Sequence, residues 1–272
     1  MKTNAKLVQQ RISFKWKNFL LPIIYLLLIP PAKADECPLP ETSAPYIVRL
    51  SERAACYKQQ ENYPQAEDDY QKVVEIVKQD KTMSAATLAI AQTNLGKLYS
   101  DWSNHSDVAE NLFVDSIKLF EKQADSNTRI VEPLISLGDL YLQQKKYAPA
   151  EQLYQRALGI LRQEPAADPD RLSIALNNLA QHYRLQHRYA AADELFRESL
   201  ALNQRTKPAD QSSIATSYYN LAHNYQDWGR LADAEKCYQQ ALALRQQILL
   251  PQHPDIARIL ADRPSWKPPR AI

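Results

Sequence analysis

The sequence predicts an all-α chain, an α-α superhelix of about five helix-turn-helix repeats closed by a capping helix. Three observations predict it. First, one phrase recurs every 42 residues: Asn94-Leu95-Gly96 with Tyr99, Ser136-Leu137-Gly138 with Tyr141, Asn178-Leu179-Ala180 with Tyr183, and Asn220-Leu221-Ala222 with Tyr225. A fixed period of this length means stacked like units, each unable to bury its apolar face alone. Second, every phrase is followed by a small-large-small triplet at i, i+4 and i+7, which is one face of a second helix. Third, the 272 residues include only 4 glycines. That scarcity disfavours turn-rich β structure and phosphate-binding loops. With 45% hydrophobic and 24% charged residues, the composition is that of a folded soluble protein.

The elements follow in order. Residues 1–34 open with Lys2, Lys6, Arg11, Lys15 and Lys17 and no acid. An apolar run, Phe19 to Ile29, and then Ala32-Lys33-Ala34 complete the layout of a secretory signal peptide cut before Asp35. The run has 11 residues and contains Pro22, whereas a spanning helix needs about 20. A permanent anchor by an uncleaved signal is therefore the weaker reading. The expected location is exported, periplasmic or secreted. The leader holds six of the 33 Lys and Arg. The remainder then has 27 basic and 31 acidic residues, a net of −4. That balance gives no electrostatic reason to expect nucleic acid or stable membrane association.

Residues 35–45 form an N-terminal segment, and Cys37 and Cys56 are close enough in sequence to tie it to the first helix. Export would place them in an oxidising compartment. Cys237 stands at the register of Leu153 and Leu195 and reads as a small buried apolar residue.

The repeat region covers residues 46–262. Its small-large-small triplets are Ala66, Tyr70 and Val73; Ala109, Phe113 and Ser116; Ala150, Tyr154 and Ala157; Ala192, Phe196 and Ser199; and Ala234, Tyr238 and Ala241. The second triplet is displaced by one residue, which predicts a longer turn near 103–107. Gly138 and Ala150 permit close backbone approach, and Tyr141 and Tyr154 fill the space beside them. Proline-bearing connectors at 164–169, 207–210 and 250–254 separate units. Short turns at Lys145-Lys146, His187-Arg188 and Gly229-Arg230 make antiparallel pairs. A helix starting at Ile256-Ala257 reads as the cap. Residues 263–272 read as a disordered proline-rich tail.

The pattern Leu-Gly/Ala-x-x-Tyr, then Ala-x-x-x-Tyr/Phe-x-x-Ala, resembles the tetratricopeptide repeat, whose usual unit is 34 residues. The 42-residue form, with Leu176-Asn177-Asn178-Leu179-Ala180 and His253-Pro254-Asp255-Ile256-Ala257, is similar to the kinesin light chain subtype. The resemblance implies that first helices line a concave face and second helices a convex one. Carried onto this sequence, it places Asn94, Lys97 and Asp101 in the groove from unit two. Unit three gives Ser136, Asp139 and Gln143. Unit four gives Asn177, Asn178, Gln181 and Arg184. Unit five gives Tyr219, Asn220, His223, Gln226 and Asp227. Asn and Gln present both a donor and an acceptor, which suits an extended backbone of any sequence. Tyr219 would add apolar area at low entropic cost. The recurrence of Asn94, Asn178 and Asn220 at one register needs a cause, because Asn is a mediocre helix former. Contact with a ligand is one; bonding to a neighbouring helix is another.

No catalytic constellation is present. The five histidines, His105, His182, His187, His223 and His253, show no HExxH spacing and no cysteine neighbour. Solvated or structural roles are expected for them, except that His223 is a possible groove contact. GxSxG, P-loop and GxGxxG motifs are absent. Glu67-Asp68-Asp69 reads as a solvated helix face. The expected function is that of a non-enzymatic adaptor or assembly scaffold without cofactor or metal. Its expected partner is a protein or extended peptide held in the groove. The rivals are a docking or regulatory arm of an enzyme complex and a purely structural spacer.

Overall fold

The computed structural model describes residues 37–39, 45–123, 128–164, 168–205 and 210–263. The expected leader, 1–34, and the tail from 264 lie outside them. The described residues form helices and no strand. In chain order these are α1 (Tyr46–Gln59), α2 (Tyr63–Gln79), α3 (Ala85–Asp101), α4 (Ser106–Glu121), α5 (Val131–Gln143), α6 (Tyr147–Gln163), α7 (Pro169–Leu185), α8 (Tyr189–Arg205), α9 (Gln211–Asp227), α10 (Leu231–Ile248) and α11 (Pro254–Asp262). From α3 on, the described residues form four helix pairs and a single last helix.

Two compact units divide the chain, residues 1–66 and 67–272. In the first, a disulfide joins Cys37 to Cys56 on α1. Cys37, Leu50 and Ala54 are buried there. In the second, α3/α4, α5/α6, α7/α8 and α9/α10 are packed hairpins, each stacked on the next, and α11 packs on α10. The core runs along the array through Phe113, Leu134, Tyr154, Leu176, Phe196 and Tyr238. It is an all-α tetratricopeptide-type solenoid.

Sequence chemistry starts the helices where they start. Ser84 caps α3 by accepting from the Thr87 amide at 3.1 Å. Asp168 caps α7, with Pro169 in the first turn, where its missing N–H costs nothing. Asp210 caps α9 by accepting from the amides of Ser212 and Ser213. His253 caps α11, again with proline following.

Close approach within a pair is enforced by glycine. A Cβ placed on Gly96 would lie 2.7 Å from the Phe113 ring, and one on Gly138 would lie 2.8 Å from the Tyr154 ring. The aromatic of each second helix therefore occupies the space that the first helix vacates. The pair turns hold one residue in the left-handed region: Asn104, Lys145, His187 and Gly229 in the second unit, with φ of 67°, 59°, 60° and 79°. Asn104 comes one residue late against the period, as the shifted Ala109 triplet predicts.

Candidate functional site

The side chains that the repeat pattern assigns to a groove stand on α3, α5, α7 and α9. Most of them are engaged within the protein. Lys97 is ion-paired with Glu132 on α5. Asp139 accepts from the Tyr154 hydroxyl at 2.6 Å. Burial pushes the Asp139 carboxyl above its ordinary range, against the pull of that hydrogen bond. Asn177 donates to Ser199 Oγ at 2.9 Å and accepts from Asn220 Nδ2 at 3.4 Å. Gln181 accepts from Arg184 Nε at 3.1 Å, and Arg184 reaches across to Asp227. Gln226 accepts from the Tyr238 hydroxyl at 2.8 Å. Ser136 is buried and lines no open surface.

Tyr219 and His223 are turned toward the last helix. The Tyr219 hydroxyl donates to Asp262 at 2.5 Å, and Arg258 lies over its ring. His223 packs edge-on against Tyr219 and sits 3.5 Å from Asp262. Burial lowers the His223 pKa, helped by Arg184. The cap thus takes up the polar ends of two groove candidates. Three candidates stand apart. Asn94 and Asn178 are half-buried, Gln143 is exposed, and none hydrogen-bonds through its side chain to another described residue. The asparagine series therefore splits: Asn220 bonds to the neighbouring first helix, while the half-buried Asn94 and Asn178 have no side-chain hydrogen bond to a described residue.

A second constellation escaped the sequence reading. The tyrosine of each phrase is more than packing, because its hydroxyl meets a carboxylate on the preceding second helix. Tyr99 donates to Glu67 at 2.5 Å, Tyr141 to Glu110 at 2.8 Å and Tyr225 to Asp193 at 2.5 Å. Glu151 takes hydrogen bonds from Arg188 and Tyr183 and is held below the usual carboxylate range. A cation five residues after the tyrosine covers its ring: Lys146 on Tyr141 at 5.0 Å, Arg188 on Tyr183 at 4.0 Å and Arg230 on Tyr225 at 4.7 Å. At the α3/α4 turn, Trp102 and His105 stack there instead. Burial and the facing carboxylates push the Tyr141 and Tyr225 hydroxyls up to about 12. At the end of the series, Arg263 replaces the tyrosine and forks onto Glu235. Arg263 is thus the ordered end of the cap, not the start of a free tail. The expected solvated run Glu67-Asp68-Asp69 is corrected likewise: Glu67 is bonded to Tyr99 and Asp69 is buried.

The signal for this clasp was in the sequence. The acids Glu67, Glu110, Glu151, Asp193 and Glu235 recur at the repeat spacing, allowing for the one-residue shift in unit two. The cations Lys146, Arg188 and Arg230 recur every 42 residues.

The remaining histidines and the free thiol are structural in their surroundings. His182 is fully buried among Tyr147, Tyr154 and Tyr183, with Nδ1 unpartnered. His187 sits in a turn and bonds to the Tyr189 hydroxyl at 2.6 Å. Cys237 is half-buried, and burial pushes its thiol up to about 11, away from reactivity. Among the described residues no His, Cys, Asp and Glu cluster has the arrangement of a metal site. No described helix is long and apolar enough to cross a membrane.

The tetratricopeptide-repeat family model matches residues 129–205 and 213–263. Solved structures share the fold. BtubC (BKLC) from P. vanneervenii superposes with a TM-score of 0.66 at 19% identity, over 76% of this chain and 84% of that one. A putative kinesin light chain with nearly identical TPR-like repeats from Podosopora anserina gives 0.62 at 20% identity, over 74% and 95%. A Rap protein complexed with Competence and Sporulation Factor gives 0.63 at 15% identity, over 76% and 56%. No curated protein sequence matches. The stacked hairpins and their 42-residue phrase define a helical-repeat solenoid. Over residues 129–205 and 213–263 the chain is similar to the tetratricopeptide-repeat family.

Proposed function

We propose that this chain is an exported adaptor or assembly scaffold that binds a protein or extended peptide on its first-helix face and catalyses no reaction. The observation that carries the reading is the pair of unbonded, half-buried amides Asn94 and Asn178. They stand at one register on helices whose other polar groups are largely spent on each other. An amide offers donor and acceptor to a passing backbone. Rigid helices hold it in place, so little ordering is left to oppose binding. Among neighbours of this fold, one Rap protein was solved with Competence and Sporulation Factor. The acidic balance of residues 35–272 favours a protein over nucleic acid.

The test is selection of binders from a randomised peptide library displayed on phage, with and without Asn94→Ala and Asn178→Ala together. Retention by the native chain and loss of about tenfold in affinity in the variant are expected, each lost amide contact contributing roughly 0.5–1.5 kcal/mol. Equal retention by both would remove the first-helix face from the reading.

Export is supported by the basic-apolar-small leader and by the Cys37–Cys56 disulfide, a bond characteristic of oxidising compartments. Mass measurement of the chain recovered from a secreting bacterial host tests both points. A product beginning at Asp35 and two hydrogens lighter than its reduced form is expected. A full-length product with both thiols free would rule export out.

A further inference from the structure

A cleft of about 330 Å³ opens between the first halves of α7 and α9, floored by the end of α8. Asp170, Ile174 and Asn177 line one side, Ser212 and Thr216 the other, and Asn203 the floor. Its hydrogen-bond inventory is lopsided. Ser173 shares a hydrogen with Ser199 at 2.8 Å, and Asn177 spends a donor on the same Ser199. Asn203 Nδ2 donates to Ser217 Oγ at 2.9 Å and points to the Ser213 carbonyl at 3.5 Å. A carbonyl accepts only, so this contact fixes which way the Asn203 amide faces. Ser212 and Thr216 already accept from Arg245 at 2.6 and 2.8 Å. Ser213 donates to Asp210 at 2.6 Å.

Two strong acceptors are left over. Asn203 is 4% exposed, and its Oδ1 receives no hydrogen bond from a described residue. The Asp170 carboxylate, at the rim, likewise has no ion pair or hydrogen-bond donor among the described residues. Ile174 adds an apolar wall, 53% exposed. One acceptor inside, a carboxylate at the mouth and an apolar flank fit a long side chain with a cationic, donor-rich end, the Arg245 charge on the opposite wall being offset by Asp255 at 3.8 Å and by Asp210.

We infer that this cleft receives a lysine or arginine side chain of the bound partner. Its methylenes lie along Ile174, and its nitrogen donates to Asn203 Oδ1 and Asp170. The inference rests on the proposed capture of an extended chain by the first-helix face. It adds the identity of one side chain that confers specificity.

The same phage-displayed library tests it, panned against the native chain, Asp170→Asn and Asp170→Lys. Asp170 is exposed and caps no helix, so both variants keep the fold, which circular dichroism checks. Peptides selected by the native chain carry Lys or Arg at one fixed position. Asp170→Asn weakens those peptides about fivefold, the loss of one exposed charge contact. Asp170→Lys abolishes the enrichment. Selected peptides with no basic position, or a basic preference untouched by Asp170→Lys, would overturn the inference and leave the first-helix face standing. Failure to retain any peptide would overturn both.

Discussion

Tyr141 on α5 donates its hydroxyl hydrogen to Glu110 on α4 across 2.8 Å, and Lys146 lies over the ring at 5.0 Å while pairing with the same carboxylate at 3.7 Å. This joint connects one helix pair to the next. Its components recur at the neighbouring junctions, so it acts as a register lock along the stack. A helix slipped by one turn would bring Tyr141 past Glu110 and strand a carboxylate facing a hydroxyl-free surface.

Replacing Tyr141 with Phe removes the hydroxyl and leaves the ring. The expected cost is about 1–2 kcal/mol, as for a hydrogen bond to a charged acceptor that is partly solvated. Glu110→Gln keeps an acceptor for the hydroxyl but gives up the charge facing Lys146 at 3.7 Å, so a similar cost is expected. The double variant should lose less than the two single losses combined, because both remove one interaction. Urea midpoints of the four proteins measure this. Additive losses would show that the contact carries no coupling energy.

The fold was legible because its causes are periodic. Gly138 and Tyr154 are separated by a fixed interval that repeats, and the steric fit between them is a local fact about two residue types. The tyrosine-carboxylate joint was legible in principle, and was passed over because single acids on a helix face are usually solvated. Only their alignment at the repeat spacing marks them. The candidate site was legible in part. Register placed Asn177 and Gln181 on a first helix, but could not tell that Ser199 and Arg184 would occupy them. Those partners depend on side-chain reach across helices, which no spacing rule encodes. Tyr219 was misread for the same reason. Its phenol is an apolar contact only until Asp262, 43 positions on, arrives beside it.

Two glycines in neighbouring helices should respond in opposite directions to the same substitution. At Gly138 a methyl would lie 2.8 Å from Tyr154, a fully buried ring that has nowhere to retreat. Gly138→Ala should destabilise by about 1–3 kcal/mol, the usual cost of overpacking. At Gly159, on α6, an added methyl meets nothing within 4 Å. Gly159→Ala should stabilise by roughly 0.5–1 kcal/mol, through helix propensity alone. Thermal unfolding of the two variants side by side checks the contrast.

The pair turns offer a related gain. Lys145 and His187 hold φ of 59° and 60°, a conformation that costs a side-chain-bearing residue roughly 1 kcal/mol. The equivalent residue of the last pair is Gly229. Lys145→Gly should therefore stabilise by a few tenths to about 1 kcal/mol, the relief of strain outweighing glycine's freedom in the unfolded chain. Gly229→Ala should lose a similar amount. A fall in stability for Lys145→Gly, read from urea midpoints, would show that the turn holds no such strain.

Acid should weaken the stack through His182. Its ring is fully buried, and the tyrosines Tyr147, Tyr154 and Tyr183 surround it. Burial lowers its pKa; Glu151, 3.9 Å away, opposes that, and Arg188 adds to it. His223 is lowered as well. A ring less basic folded than unfolded binds its proton more readily in the unfolded chain. The stability it supports is therefore complete above the unfolded value near 6.5 and is lost as pH falls below it. The repeat supplies the control, since Leu98 and Leu140 stand at the same register and are equally buried. His182→Leu should keep the packing and flatten the decline in urea midpoint between pH 7 and pH 5, while His223→Gln should remove only the smaller share belonging to a partly exposed ring. An unchanged pH dependence in His182→Leu would place the acid sensitivity elsewhere.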